Sequence, residues 1–152
     1  MGTSDWSLRQ GHRLLQVGIL LFLLALLVGL AVPRFAVPRI GLSAHLLGIM
    51  QGIFLMMIGL LWPKLKLPRA MSRIGFWAAV YGCFAAWAAN LFAGISGAGN
   101  TMLPMAAGQA HGSALQETII AIGLRTAAVS LIAVSLLILW GLRGFAVDQS
   151  NK

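Results

Sequence analysis

Four apolar runs dominate the chain: Leu14 to Val32, Gly41 to Trp62, Ile74 to Ile95 and Thr118 to Gly141. Each is close to the roughly 20 residues that a helix needs to cross about 30 Å of hydrocarbon. None shows the alternation of a barrel strand, and backbone groups cannot stay unpaired in lipid, so helices are the remaining solution. The expected fold is an all-α integral membrane protein, a four-transmembrane-helix bundle in a single domain over residues 1–152, with spans at about 14–32, 41–62, 74–95 and 118–141. Charged residues make up only 9% of the chain and hydrophobic ones 59%, whereas a water-facing surface needs about 25–35% charge. A soluble globule is excluded. With no room for a separate soluble catalytic domain, any chemistry falls to a few residues in or beside the spans.

The net charge of +8 does not signal a nucleic-acid partner, because the basic residues sit in short segments between apolar runs. Four spans place both termini on one side. That side collects Arg9, Arg13, Lys64, Lys66, Arg69, Arg73, Arg143 and Lys152, against Arg34 and Arg39 on the other, with Arg125 inside the last span. Both termini are therefore expected to be cytoplasmic. The single cysteine, Cys83, lies in an apolar run, where it reads as a small packing residue. Trp62 and Trp140 suit interfacial belts.

Polar residues within spans are costly and call for a partner or a function. The second span holds His45 and Gln51, the third Asn90, and the fourth begins at Glu117 and carries Arg125. Their depths agree. His45 lies roughly 6 Å below the outer end of its span, Asn90 comes near that level from the other direction, and Glu117 opens the last span on the same side. Gly48 and Gly52 share the face of His45, and such a face permits either a close helix contact or a flat cofactor lying against the helix. Ala78, Gly82, Ala86, Asn90 and Gly94 form a small-residue ladder on the third span, a packing face ending in a polar group. Trp87, one turn from Asn90, is placed to line an aromatic pocket.

His12 falls in the basic N-terminal segment, and His111 in the glycine-rich outer connection, on the side of His45. His111 is placed to carry a proton or serve as a second ligand. A zinc motif is lacking, since no two histidines share a face and there is one cysteine. The absence of Cys-x-x-Cys-His excludes covalent haem attachment. With Asp5 and Asp148 confined to the tails, a Ser-His-Asp triad has no acid.

Several segments together carry a family resemblance: Gly11-His12-Arg13-Leu14-Leu15-Gln16-Val17-Gly18, the proline-rich first loop, Gly41-Leu42-Ser43-Ala44-His45 with Gly48 and Gln51-Gly52, Leu61-Trp62-Pro63, and Ala107-Gly108, His111 and Gln116-Glu117. From about Gly11 to Gly141 the chain resembles the hydroxylaminobenzene mutases, which convert aryl hydroxylamines to ortho-aminophenols in nitroaromatic degradation. These are distantly similar to membrane-bound styrene oxide isomerases, which use ferric haem b as a Lewis acid. The resemblance implies a multi-pass protein of the bacterial inner membrane, with His45 as axial ligand to haem b, Gly48 and Gly52 beside the ring, and Gln51 near the substrate oxygen. Gln51 stands where the isomerases have asparagine. Their third-helix tyrosine falls near Asn90, and the one tyrosine here, Tyr81, comes nine residues earlier.

What this implies is an intramolecular hydroxyl transfer, with haem iron assisting N–O heterolysis. Gln51 and Asn90 would hold the migrating hydroxyl or a water, Glu117 or His111 would take the ring proton, and Arg125 would pair with a haem propionate. His45 and Gln51 lie about 120° apart around one helix and roughly 9 Å apart along it, so both reach one haem if the haem sits between copies. A homotrimer with interfacial haems, as in the isomerases, is expected. Two other classes fit the same spans: a membrane b-type cytochrome subunit for electron transfer, with His45 and His111 across one haem, and a small four-helix transporter without cofactor.

Overall fold

The computed structural model describes residues 3–149, with the side chains of residues 3–4 and 144–149 excepted; Lys152 lies outside the described residues. The long helices are α1 (Thr3–Ala31), α2 (Pro38–Leu61), α3 (Arg69–Ser96) and α5 (Ala114–Gln149), with a single helical turn, α4 (Pro104–Ala107), in the outer connection. Among the described residues there is no strand, and four helices are long and apolar enough to cross a membrane. The chain is an all-α, multi-pass membrane protein.

Each helix outruns its apolar core. α1 begins eleven residues before Leu14, because Arg9 and Arg13 of its first turns are exposed and keep their heads in the polar layer while their stems follow the helix. Prolines punctuate the short connections: Pro33 and Pro63 sit in 3₁₀ turns, and Pro38 occupies the first turn of α2, where a missing N–H costs nothing. Gly97, at φ 72°, closes α3 in the left-handed conformation, and its N–H donates to the Ala93 carbonyl. α5 starts on a capping box: the Gln116 N–H donates to Ser113 Oγ, and the Ser113 N–H to Gln116 Oε1.

Successive helices run antiparallel and pack as neighbours, α1 on α2, α2 on α3 and α3 on α5, and the ring stays open between α1 and α5. The tightest seam joins α1 and α2. Gly11 meets Gly59 and Gly18 meets Gly52, so close that a Cβ on Gly18 would stand 2.8 Å from the Gly52 carbonyl oxygen. Both helices present small residues at seven-residue intervals, Gly11, Gly18 and Ala25 on one, Gly59 and Gly52 on the other. The next place in the α2 series is His45.

The larger core lies in the basic half, around Leu14, Leu21, Leu55, Phe76, Cys83 and Val134. Trp62 belongs to it. Expected at an interface, it is 1% exposed, because its Nε1 donates to Gln10 Oε1, which also accepts from Ser72 Oγ; that buried junction ties α1, the end of α2 and α3. Cys83 is free and buried within this core, as a packing residue should be. A smaller outer cluster, Ile40, Ala93, Ala98, Ala107 and Ile120, seals the far end with residues of the connection itself.

Candidate functional site at the outer end of α2

The α1–α2 seam fixes His45. Its Nδ1 lies 2.7 Å from the Ala25 carbonyl oxygen. A carbonyl only accepts, so Nδ1 carries the hydrogen, and in the neutral ring Nε2 keeps its lone pair. Nε2 makes no hydrogen bond among the described residues. The ring fits only because Gly29 lies against it: a Cβ there would come within 2.6 Å of Nδ1. Orientation through the other ring nitrogen is how metal-ligating histidines are commonly prepared.

Gly48 and Gly52 do not leave an open face beside the imidazole. Gly48 is covered by Ala25 and the indole of Trp87, and Gly52 by Gly18 and Phe22. Of the two arrangements open to a small-residue face, the close helix contact is the one observed, and a flat group bound through His45 has to lie elsewhere than along these glycines.

α3 brings two polar groups to this level. Asn90 is buried, accepting from Ser43 Oγ and donating to the Ala86 carbonyl at 3.4 Å each. Both bonds are long, so the amide is only weakly satisfied. Trp87 Nε1, packed over Gly48, is buried with no hydrogen-bond partner among the described residues. The under-satisfied amide, on the Ser43 side of α2, and the orphaned indole N–H over Gly48 are polar groups at the level of the histidine that a ligand could engage. Gln51 is half-buried on another face of α2 and makes no hydrogen bond within the described residues. Tyr81 is remote from the group, its hydroxyl bonded to Thr126 on α5.

Glu117 organises the outer connection. Its Oε1 accepts the N–H groups of Gly99, Asn100 and Gly112, and its Oε2 that of Thr101, at 2.7–3.3 Å. One carboxylate thus gathers four backbone donors and fastens both ends of the loop to the start of α5, where negative charge is favoured. His111 is exposed on that loop and Arg125 on α5. Arg125 has no ion pair among the described residues and is not brought to Glu117. Among the described residues no three His, Cys, Asp or Glu side chains converge; a haem iron needs only one of them.

Sequence reasoning passed over Ala25, Gly29 and Ser43. Ala25 had a signal, the seven-residue series of small residues on α1 whose antiparallel register ends at His45, and Gly29 follows it by one turn.

Residues 10–143 match the styrene oxide isomerase family. The chain belongs to that family. Its relatives include two proteins of Ectopseudomonas oleovorans. Hydroxylaminobenzene mutase HabB is 50% identical over 132 residues, covering 87% of this chain and 80% of the relative. Hydroxylaminobenzene mutase HabA is 38% identical over 125 residues, covering 82% and 93%. No solved structure matches. The family match spans all four long helices, and so includes the α1–α2 seam, His45 and the Glu117 loop.

Proposed function

We propose that the chain is a membrane mutase that rearranges aryl hydroxylamines, hydroxylaminobenzene among them, to 2-aminophenols. The observation that carries this reading is the 50% identity, across all four spans, to a protein named for that reaction. In the rearrangement the N–O bond breaks, a C–O bond forms at the ortho carbon, and the hydrogen displaced from that carbon is balanced by one gained at nitrogen. No oxidant or reductant is consumed.

The donor set fits a haem held through one histidine. With Nδ1–H committed to Ala25, His45 would hold haem b through Nε2. When bound, the ferric group supplies a Lewis acid for the departing oxygen. The chain's own residues do the rest. Asn90, loosely bonded, turns its amide to the substrate oxygen, with Ser43 steadying it. Glu117, with both oxygens engaged, keeps the outer loop closed and water away from an electron-poor ring that water would attack; the ring proton is then left to the exposed His111.

Gln51 faces away from His45 around α2, which supports a haem shared between copies in a homotrimer, Gln51 reaching the group held by a neighbour's His45. Arg125, without an ion pair among the described residues, is assigned to a propionate across the same interface.

Detergent-purified protein incubated with hydroxylaminobenzene tests the reading. Product analysis should find 2-aminophenol, and the absorption spectrum a Soret band that shifts on adding substrate. Absence of 2-aminophenol overturns the mutase assignment, whereas product from a colourless protein overturns only the haem.

A further inference from the structure

The basic end carries a cleft that the outer site does not use. α1 and α3 meet only lightly, and between their first turns opens a volume of about 390 Å³ lined by Trp6, Arg9, Gln10 and Arg13 from one side and Arg73, Phe76 and Trp77 from the other. Arg9 and Arg13 share a helix face, and Arg73 answers them from α3. None of the three guanidinium groups has an ion pair among the described residues, and no carboxylate lines the cleft. Gln10 adds to the same sense. Its Oε1 is taken by Trp62 and Ser72, while its amide N–H groups have no partner among the described residues. The mouth therefore presents side-chain donors and positive charge, the complement of a multi-oxygen anion such as a phosphate.

The cleft does not end at its polar mouth. A second volume of about 230 Å³ shares Arg13, Phe76 and Trp77 and runs on past Val17 and Val80 into the apolar stretch of both helices. The arginines sit at the boundary where the apolar runs begin, Leu14 on α1 and Ile74 on α3, the depth of lipid headgroups. A free anion would use the mouth and leave the groove empty. A molecule with an anionic head and a hydrocarbon tail would fill both.

We propose that this cleft binds an anionic phospholipid, its phosphate held by Arg9, Arg13 and Arg73 and one acyl chain lying in the groove between α1 and α3. The site is separate from the outer one: Gln10 bonds Trp62, seventeen residues from His45 along α2 and its following turn, or roughly 25 Å. The lipid occupies the gap where α1 and α3 fail to pack, and so bolsters the basic end.

Full-length protein in neutral detergent, titrated with phosphatidylglycerol, with phosphatidylcholine of the same chains and with inorganic phosphate, provides the test, bound lipid being counted by native mass spectrometry. Phosphatidylglycerol should be retained about tenfold or more tightly than phosphatidylcholine, and Arg73→Gln alone should lose about fivefold of that preference. Arg9→Gln, Arg13→Gln and Arg73→Gln together should erase it, while lysine at the same three positions keeps most of it. Lys64→Gln with Arg143→Gln, removing charge from the same end but not from the cleft, should leave it intact. Equal retention of the two lipids, no loss in Arg73→Gln, or an equal loss in the control pair overturns the proposal. Displacement of the lipid by millimolar inorganic phosphate also overturns it, in favour of a free-anion site.

Discussion

Between α1 and α2 the backbones touch, whereas between α3 and α5 the close approaches are to side chains. A Cβ on Gly52 would meet the Gly18 carbonyl oxygen and the Phe22 backbone nitrogen, each at 2.9 Å. Across the other seam, a Cβ on Gly82 would meet the branched tip of Leu131 at 2.9 Å, and one on Gly75 the tip of Leu137 at 2.5 Å. Backbone cannot move aside, and a leucine tip can. The difference sorts the molecule by function: the inflexible seam ends at His45, whose ring is gripped by Ala25 and Gly29 of the facing helix, while α5, with 11% of its apolar stretch buried against 39% for α3, is an outer wall that carries the loop latch at its head.

The largest effect is expected from breaking the inflexible seam. Gly52→Leu should abolish folded protein, since overpacking against main chain exceeds the usual cost of about 1–3 kcal/mol for overfilled cores; recovery after extraction and size-exclusion chromatography reads this out. Gly29→Ala should leave a folded protein, because the clash is with one side chain, but it displaces the His45 ring. A misplacement of this kind costs about 100-fold in turnover, with little change in Tm, measured as 2-aminophenol formed from hydroxylaminobenzene.

Glu117→Ala sharpens the comparison at the other wall. Removing the acceptor of four N–H groups should speed hydrogen exchange of the Gly99–Thr101 and Gly112 amides by about 100-fold, the equivalent of roughly 3 kcal/mol of local stability, while amides in the middle of α1 and α2 stay protected. Smallest of all is Gly82→Ala. Leu131 shifts, and Tm should change by no more than about 1 kcal/mol allows.

The spans and the depth of the polar residues were legible because lipid imposes a length and penalises every exception. His45 and Asn90 come to one level from opposite directions, as the sequence implied. The extent of the helices was not legible, since hydropathy reports where lipid is and not where hydrogen bonding stops; the basic first turns of α1 belong to no apolar run. The duty of Gly48 and Gly52 depended on register. Only once Gly18 is known to face Gly52 does it follow that Ala25 faces His45, and that the glycines are spent on packing. Trp62 misled because tryptophan is common both at interfaces and in cores, and its choice was made by a buried Gln10 far away in sequence on the neighbouring helix. Glu117 was legible as the start of a span, but its four donors come from a loop whose path no periodicity describes.

The most direct measurement compares turnover of hydroxylaminobenzene by wild type and His45→Ala, both purified in detergent and shown to have the same elution and helical content. His45 is predicted to be indispensable, so the variant should form 2-aminophenol at less than about one-thousandth of the wild-type rate if, as proposed, His45 holds the Lewis-acid centre. A folded His45→Ala protein that rearranges the substrate within a few-fold of the wild-type rate would contradict the account and move the chemistry away from the outer end of α2.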